Sequence, residues 1–341
     1  MTRQWNVAVL GATGLVGDTI IKVLEERKFP VGELFPLASN RSLGKSVEFN
    51  GKSLPVIDVD TFDFARADIG LFSAGGEVSR VQAPRAAAAG CVVIDNTSEF
   101  RYDDDIPLVI PEVNAHAIAD FRKRRIIANP NCSTIQMLVA LKPIHDAVGI
   151  ERINVATYQS VSGAGKEAVE ELAEQTVALM SGKGPVKPKV VAAQIAFNVV
   201  PQIDKFQDNG YTKEEMKMFW ETRKIFADPD IRVNATTVRV PVFFGHSEVV
   251  NIETRRKITV PEVRKLLDAA PGVKVIDTRQ SGGYPTPAVN AANDDRVFVG
   301  RIREDISHER GLNLWVVSDN IRKGAATNSV QIAEILIREH L

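Results

Sequence analysis

Near its start the chain carries a short apolar run, Asn6-Val7-Ala8-Val9-Leu10. Gly11-Ala12-Thr13-Gly14-Leu15-Val16-Gly17 follows, and then Asp18 to Glu26 with apolar residues at helical spacing. An unbroken apolar run closed by a glycine turn predicts a strand buried on both faces of a parallel sheet. The same rhythm recurs downstream. Glu33 to Ala38, Asp68 to Phe72 and Cys91 to Asp95 predict strands, and Val78 to Ala89 predicts a helix between the last two. Strands alternating with helices predict a doubly wound parallel sheet, whose ligands lie beyond the carboxyl ends of its strands.

From about Ile150 the period changes to two. Residues 154–161, 236–242, 246–253, 296–302 and 312–317 alternate in the manner of strands with one buried face. Ser162 to Lys166 turns into a helix over Glu167 to Met180, Ser181 to Lys189 predicts a flexible basic loop, and Asn328 to Glu339 predicts a final helix. Runs of strands with a few helices predict a mixed or antiparallel sheet covered on one side. The fold class is α/β, a Rossmann-type doubly wound parallel sheet plus a second α+β domain with a mixed sheet. A length of 341 residues agrees with two domains, since one core rarely grows that large.

Composition narrows the function. Lysine and arginine number 42 against 43 acidic residues, so no basic field exists to hold nucleic acid or a membrane surface. No apolar stretch approaches the ~20 residues that span a bilayer. The chain enters its first strand without a signal-peptide pattern, so a cytoplasmic location is expected. With Cys91 and Cys132 as its cysteines, and neither Cys-x-x-Cys nor His-x-x-x-His, neither a disulfide nor a metal site is expected.

The glycine turn between strand and helix predicts a dinucleotide site, because backbone there can approach a pyrophosphate facing a helix N-terminus. Where an NAD enzyme usually places an acidic residue after its second strand, this chain has Ser39-Asn40-Arg41-Ser42-Leu43-Gly44-Lys45. Hydroxyls and a guanidinium suit a 2′-phosphate, so NADP is expected over NAD. The other reading of Arg41 and Lys45 is a solvated turn.

Cys132 stands in Asn129-Pro130-Asn131-Cys132-Ser133-Thr134, between the apolar run Ile126-Ile127-Ala128 and a helical pattern over Ile135 to Leu141. At the first turn of a helix, unpaired N–H groups favour an anion, and a thiolate is both an anion and the nucleophile. The segment alone also fits a buried, unreactive cysteine. A nucleophilic cysteine wants a histidine. Of His116, His145, His246, His308 and His340, His246 is the leading acid/base because it lies between two strand runs, near Arg239. Arg239 is a charge among apolar residues. It answers either to an internal salt bridge or to a substrate carboxylate. Arg101, in Asn96-Thr97-Ser98-Glu99-Phe100-Arg101, leaves a strand toward the ligand crevice.

Five segments together resemble the aspartate-semialdehyde dehydrogenase family: Asn129 to Thr134, Ser98 to Arg101, Gln159 to Gly165, Arg239 to Val242, and Gly245 to Ser247. The resemblance runs from Gly11 to the last helix. It implies Cys132 as the residue that forms an acyl-enzyme, His246 as the acid/base and Gln159 as the group that orients substrate. It implies Arg101 and Lys217 as phosphate contacts, Arg239 and Glu214 as contacts to the substrate carboxylate and amine, and Asn131 as a further substrate contact. For the cofactor it implies Gly11, Thr13, Gly14, Leu15, Val16, Ser39, Arg41, Ser42, Ser162, Gly163 and Asn320. The domains implied are 1–130 for NADP, completed by a C-terminal helix over 323–341, and 131–322 for catalysis and dimerisation.

The activity implied is NADPH-dependent reductive dephosphorylation of L-aspartyl 4-phosphate to aspartate 4-semialdehyde in a cytoplasmic homodimer. That reaction serves biosynthesis of lysine and diaminopimelate, threonine and methionine. Two rivals differ in testable ways. N-acetyl-glutamyl-phosphate reductase shares the chemistry but carries Gly and Cys-Tyr where this chain has Asn131 and Cys132-Ser133. A Cys–His hydrolase would not bind NADPH.

Overall fold

The computed structural model describes residues 3–341, in two compact units: residues up to Asn131 with Ala325–Leu341, and Cys132–Gly324. In the first, β1 (Trp5–Leu10) leads through α1 (Leu15–Glu26) to β2 (Val31–Ala38). A small hairpin of β3 (Ser46–Phe49) and β4 (Lys52–Pro55) and a short β5 (Ile57–Asp58) come next. Then follow β6 (Ile69–Phe72), α2 (Gly76–Ala88), β7 (Val92–Asp95), a one-turn α3 (Pro111–Asn114) and β8 (Ile126–Ala128). The six strands pair in parallel in the order β5-β2-β1-β6-β7-β8.

Val7, Val9, Ile69, Leu71, Val93 and Ile94 are buried on both sides of the sheet, as their unbroken apolar runs require. Strand order reverses between β1 and β6, which makes their carboxyl ends the natural ligand crevice. The chain's last helix, Thr327–Glu339, returns to this unit. Val330, Ile332, Ala333 and Leu336 join the core of Val7, Val9, Ile20 and Leu24. Asn328 Nδ2 donates to Asn129 Oδ1 at 2.7 Å and to Val109 O at 3.0 Å, so this helix is tied to the loop that leaves β8.

The second unit begins with α4 (Cys132–Val148), then β9 (Ile150–Gln159), α5 (Lys166–Met180), α6 (Lys213–Phe226), β10 (Arg232–Arg239) and β11 (His246–Thr254). It ends with α7 (Val260–Ala269), β12 (Val273–Val275), β13 (Val297–Glu304) and β14 (Gly311–Ser318). The sheet is mixed, in the order β10-β9-β11-β14-β13-β12. Along β9, Ile153, Val155, Thr157 and Gln159 are buried while Asn154 and Tyr158 are exposed, so the period-two pattern is real. The buried face of the sheet packs against α4, α6 and α7.

Some boundaries differ from the sequence reading. α4 is much longer than Ile135 to Leu141, because Ile144 keeps the helical spacing past Lys142 and Pro143. β10 stops at Arg239 rather than running to Val242, because Pro241 has no N–H for a ladder. Among the described residues, no helix is long and apolar enough to cross a membrane.

The stretch from Ser181 onward is held by α5 through a buried polar clip. Glu171 accepts the N–H groups of Lys189, Val190 and Val191 at 2.7, 2.8 and 3.2 Å. Gln175 Nε2 donates to Glu171 Oε1, and Gln175 Oε1 accepts from Ile195 and Ala196 N–H. Glu171→Ala removes a charged acceptor from these backbone donors and should destabilise the protein by about 2–3 kcal/mol. Urea unfolding reads that loss, and faster proteolysis within 187–196 locates it. Unchanged stability and cleavage would show that the clip contributes nothing.

Candidate active site

In the first unit the glycine loop builds a cradle. Gly17 lies against Gly11 O, where any Cβ would come within 2.1 Å, so α1 can follow β1 this closely only with glycine. The N-terminus of α1 has no side-chain cap. The first-turn N–H groups of Leu15, Val16 and Gly17 are therefore donors of the kind that bind a pyrophosphate. Thr13 Oγ1 and Ser42 Oγ are 3.3 Å apart, which brings the loop after β1 to the loop after β2. Ser39 precedes a single turn over Asn40–Ser42, with Arg41 exposed and no acidic residue from Ser39 to Lys45. This donor set fits a dinucleotide that carries an extra phosphate.

Arg101 belongs to the same unit. Asp95, fully buried at the end of β7, accepts from Ser79 Oγ, Thr97 N and Thr97 Oγ1 and so shapes the loop. Arg101 Nη2 then donates to Asn96 O at 2.8 Å. Burial pushes the Asp95 carboxyl up, and its hydrogen bonds and the charge of Arg101 only partly offset that.

The second unit gathers the candidate catalytic side chains at one edge of its sheet. Arg239 ends β10, Gln159 ends β9 directly beside it, and His246 begins β11 on the other side of β9. Three adjacent strand ends thus present guanidinium, carboxamide and imidazole together. Cys132 opens α4, half-buried, and neither it nor Cys91 is in a disulfide.

His246 is fully buried, and its tautomer follows from its neighbours. Nδ1 accepts the backbone N–H of Ser160 at 3.0 Å and also lies 3.0 Å from Ser160 Oγ. The neutral ring therefore carries its proton on Nε2. Burial and, after it, the Arg239 charge pull the imidazole down to about 3, against a raising pull from Glu214, so the ring is neutral near pH 7.

Gln159 is oriented just as firmly. Its Oε1 accepts from Thr157 Oγ1 at 3.0 Å and its Nε2 donates to Glu214 Oε1 at 3.1 Å. Gln159 Nε2 and His246 Nε2 are 3.4 Å apart, too long for a strong bond.

Arg239 Nη1 donates to Ser160 O at 2.7 Å, and among the described residues no carboxylate forms an ion pair with it. Glu214 acts on this arginine through its charge rather than through a direct ion pair. Burial lowers its proton affinity, while Glu214 and an anionic Cys132 raise it, so cation and sulfur lie within each other's field. Ser162 and Asn320 complete the cluster. Asn320 Oδ1 accepts from Gly245 N and Ser160 Oγ at 3.0 Å, and Asn320 Nδ2 donates to Ser162 Oγ at 3.0 Å. A Cβ at Gly163 would fall 3.0 Å from Arg239 Nη1 and 3.2 Å from His246 Nε2. Asn131 is the residue before α4, and Glu214 and Lys217 lie on α6.

Several contributors escaped the sequence reading. Gly324 is one: a Cβ there would approach Cys132 Cβ to 2.7 Å. Ser160 and Thr157, which orient His246 and Gln159, are others. The whole of α6 is another, although Thr212-x-x-Glu215 signals its start. Glu215 N donates to Thr212 Oγ1 and Thr212 N to Glu215 Oε2, a capping box. That cap sets the helical phase that places Glu214 and Lys217, three residues apart, on one face.

The family model described as semialdehyde dehydrogenase, NAD binding domain, matches residues 6–121, and the one described as its dimerisation domain matches residues 141–323. An aspartate-semialdehyde dehydrogenase of Shewanella sp. (strain DB6705) is 64% identical over 340 residues, covering 100% of both chains. One of Legionella pneumophila is 62% identical, covering 100% of this chain and 98% of its own. The solved aspartate semialdehyde dehydrogenase II of Vibrio cholerae, complexed with ASA, superposes with a TM-score of 0.98 at 61% identity, covering 100% of both chains. That of Candida albicans, with NADP, reaches a TM-score of 0.77 at 25% identity, covering 98% of this chain and 99% of its own. With its two units matched in turn by the two domain models of the semialdehyde dehydrogenases, and its whole length by relatives of one activity, the chain belongs to the aspartate-semialdehyde dehydrogenase family.

Proposed function

We propose that this chain reduces L-aspartyl 4-phosphate to aspartate 4-semialdehyde with NADPH, through a thioester on Cys132. The observation that carries the reading is the edge of the second unit's sheet. There Arg239, Gln159 and His246 end three neighbouring strands, with Arg239 in the field of Cys132. The thiolate attacks the acyl carbon, and phosphate leaves with the electron pair of the broken C–O bond. Arg101 and Lys217 bind that phosphate, Arg239 takes the α-carboxylate through its planar fork, and Glu214 takes the ammonium. Gln159 holds the acyl group in line.

When bound, NADPH supplies the hydride. His246 directs its Nε2 proton at the oxyanion that forms on the former acyl oxygen. That N–H stabilises the oxyanion by hydrogen bonding, without giving up its proton, until the oxyanion collapses to the aldehyde and expels the Cys132 sulfur as thiolate. The residue therefore ends each turnover in the neutral form in which it began. NADP is favoured over NAD because Ser39, Arg41 and Ser42 stand where a carboxylate would repel the 2′-phosphate. A homodimer through the second unit, with Tyr158 and its sheet face turned outward, and a cytoplasmic location complete the reading.

The test is oxidation of aspartate semialdehyde followed as NADPH formation. Turnover should require phosphate or arsenate, run faster with NADP than NAD, and be absent with N-acetyl-glutamate semialdehyde. Phosphate-independent turnover, or preference for the acetylated substrate, would replace this reading.

A further inference from the structure

One lysine of the second unit is shared between two carboxylates. Lys217 Nζ lies 2.8 Å from Glu214 Oε2 and 3.0 Å from Asp204 Oδ2. Glu214 Oε1 meanwhile accepts from Gln159 Nε2, so both oxygens of Glu214 are engaged. Asp204 is a loop residue with a left-handed φ of +68°. Its Oδ1 accepts the N–H of Lys205 at 2.8 Å, which fixes the carboxylate from its own backbone while Oδ2 meets Lys217. Burial pushes the Asp204 carboxyl up, but the Lys217 charge, its hydrogen bond and the Lys205 N–H outweigh that and hold it below the ordinary range.

The consequence is a competition. Under the functional reading above, on which this inference rests, Glu214 must take the substrate's ammonium. If Glu214 were the sole counter-charge of Lys217, the two cations would contend for one carboxylate. We propose that Asp204 is a positioning residue that shares the charge of Lys217, so that Glu214 is not its sole counter-charge and can also take the substrate ammonium. Nothing in the family resemblance marks this residue. Its contribution shows only in the chain of contacts Asp204–Lys217–Glu214–Gln159.

The experiment uses Asp204→Asn in the full-length enzyme. Asparagine tolerates the left-handed backbone and still offers Oδ1 to the Lys205 N–H, so only the charge is removed. Glu214 is then the one full counter-charge Lys217 keeps in this pair, and KM for aspartate semialdehyde should rise about tenfold, as members of one charge network are coupled. The KM for NADP should stay within about twofold of the parent, since cofactor binding does not depend on the contested carboxylate. The Ki of succinate semialdehyde, which lacks the ammonium, should not move. Asp204→Ser, which keeps an oxygen near the Lys205 N–H, should repeat the pattern.

An unmoved KM in both variants overturns the inference, and so does a Ki that rises with the KM, because that means general distortion of the site. A parent enzyme inactive on the semialdehyde overturns the functional reading and this inference with it. An active parent with unmoved variants overturns the inference alone.

Discussion

Exchange of Cys132 for serine should lower kcat by about 10⁴-fold or more while leaving NADPH affinity intact. The two side chains are nearly isosteric, so the close approach of Gly324 to Cys132 is undisturbed and the fold should melt where the parent does. What changes is the atom. A serine hydroxyl is not ionised near neutral pH, and His246 cannot act as its base, because Nδ1 is occupied by the Ser160 N–H and Nε2 carries the proton. The thiol needs no such base if the α4 N-terminus and the Arg239 charge favour its anion. Stopped assays and an NADPH fluorescence titration measure the two halves of the prediction. Mass spectrometry of the parent treated with acyl phosphate alone should find the acyl adduct on Cys132. A serine variant within tenfold of the parent would remove the covalent step from the mechanism. Cys91 serves as the control. Burial and the nearby Asp68 push its thiol up to about 12, so it should neither alkylate at neutral pH nor affect turnover when replaced by serine.

The contrast between the two cysteines shows what a sequence can and cannot convey. Both follow or precede apolar runs, and the residue types alone do not separate them. The flanking pattern does: Cys91 leads into a buried strand, whereas Cys132 follows a proline turn and opens a helix. The parallel sheet was legible where its strands are continuous apolar runs, as in β1, β6 and β7, whereas the two-residue β5 was not read. The mixed sheet was legible where its strands alternate, whereas the three-residue β12 was not read. α6 and α7 were not read, although α7 spaces Val260, Val263 and Leu267 along one face. Their capping boxes, Thr212 with Glu215 and Thr259 with Glu262, were the available signals. Cys132, His246 and Arg239 stand out by their flanking residues, yet the agents that fix His246 and Arg239 are backbone and small side chains. Ser160 N, Ser160 O and Gly163 touch His246 or Arg239 only after β9, β10 and β11 have paired in register. Such contacts join residues about 80 positions apart, and no local pattern encodes them.

His246→Asn should slow kcat by about 10²–10³-fold with KM changed little, the range typical of removing one hydrogen-bond donor to an oxyanion. Asparagine can still accept the Ser160 N–H through its amide oxygen but is too short to carry an N–H to the place of Nε2. His246→Gln reaches further and should recover part of the loss by hydrogen bonding alone. A deficit confined to KM would mean that His246 only binds substrate. The pH dependence carries a second signature. With the ring held at about 3 in the folded enzyme, no limb near the ordinary histidine value of 6.5 should appear in kcat/KM as a titration of this residue. Stability moves in a definite direction too. Between about 6.5 and about 3 the unfolded chain binds a proton at this histidine that the folded chain refuses, so this residue's contribution to stability falls as pH falls through that window. Glu248, two residues along β11, acts in the opposite sense. Burial raises it well above its ordinary 4.5, so the folded chain keeps a proton that the unfolded chain loses as pH rises above that value. The parent therefore combines both slopes, and the difference between parent and His246→Asn isolates the histidine. Urea unfolding at pH 7 and pH 5 should show the parent losing more stability on acidification than the variant. Equal losses would mean that His246 takes up its proton as readily in the fold as out of it, and the neutral Nε2–H donor would lose its basis.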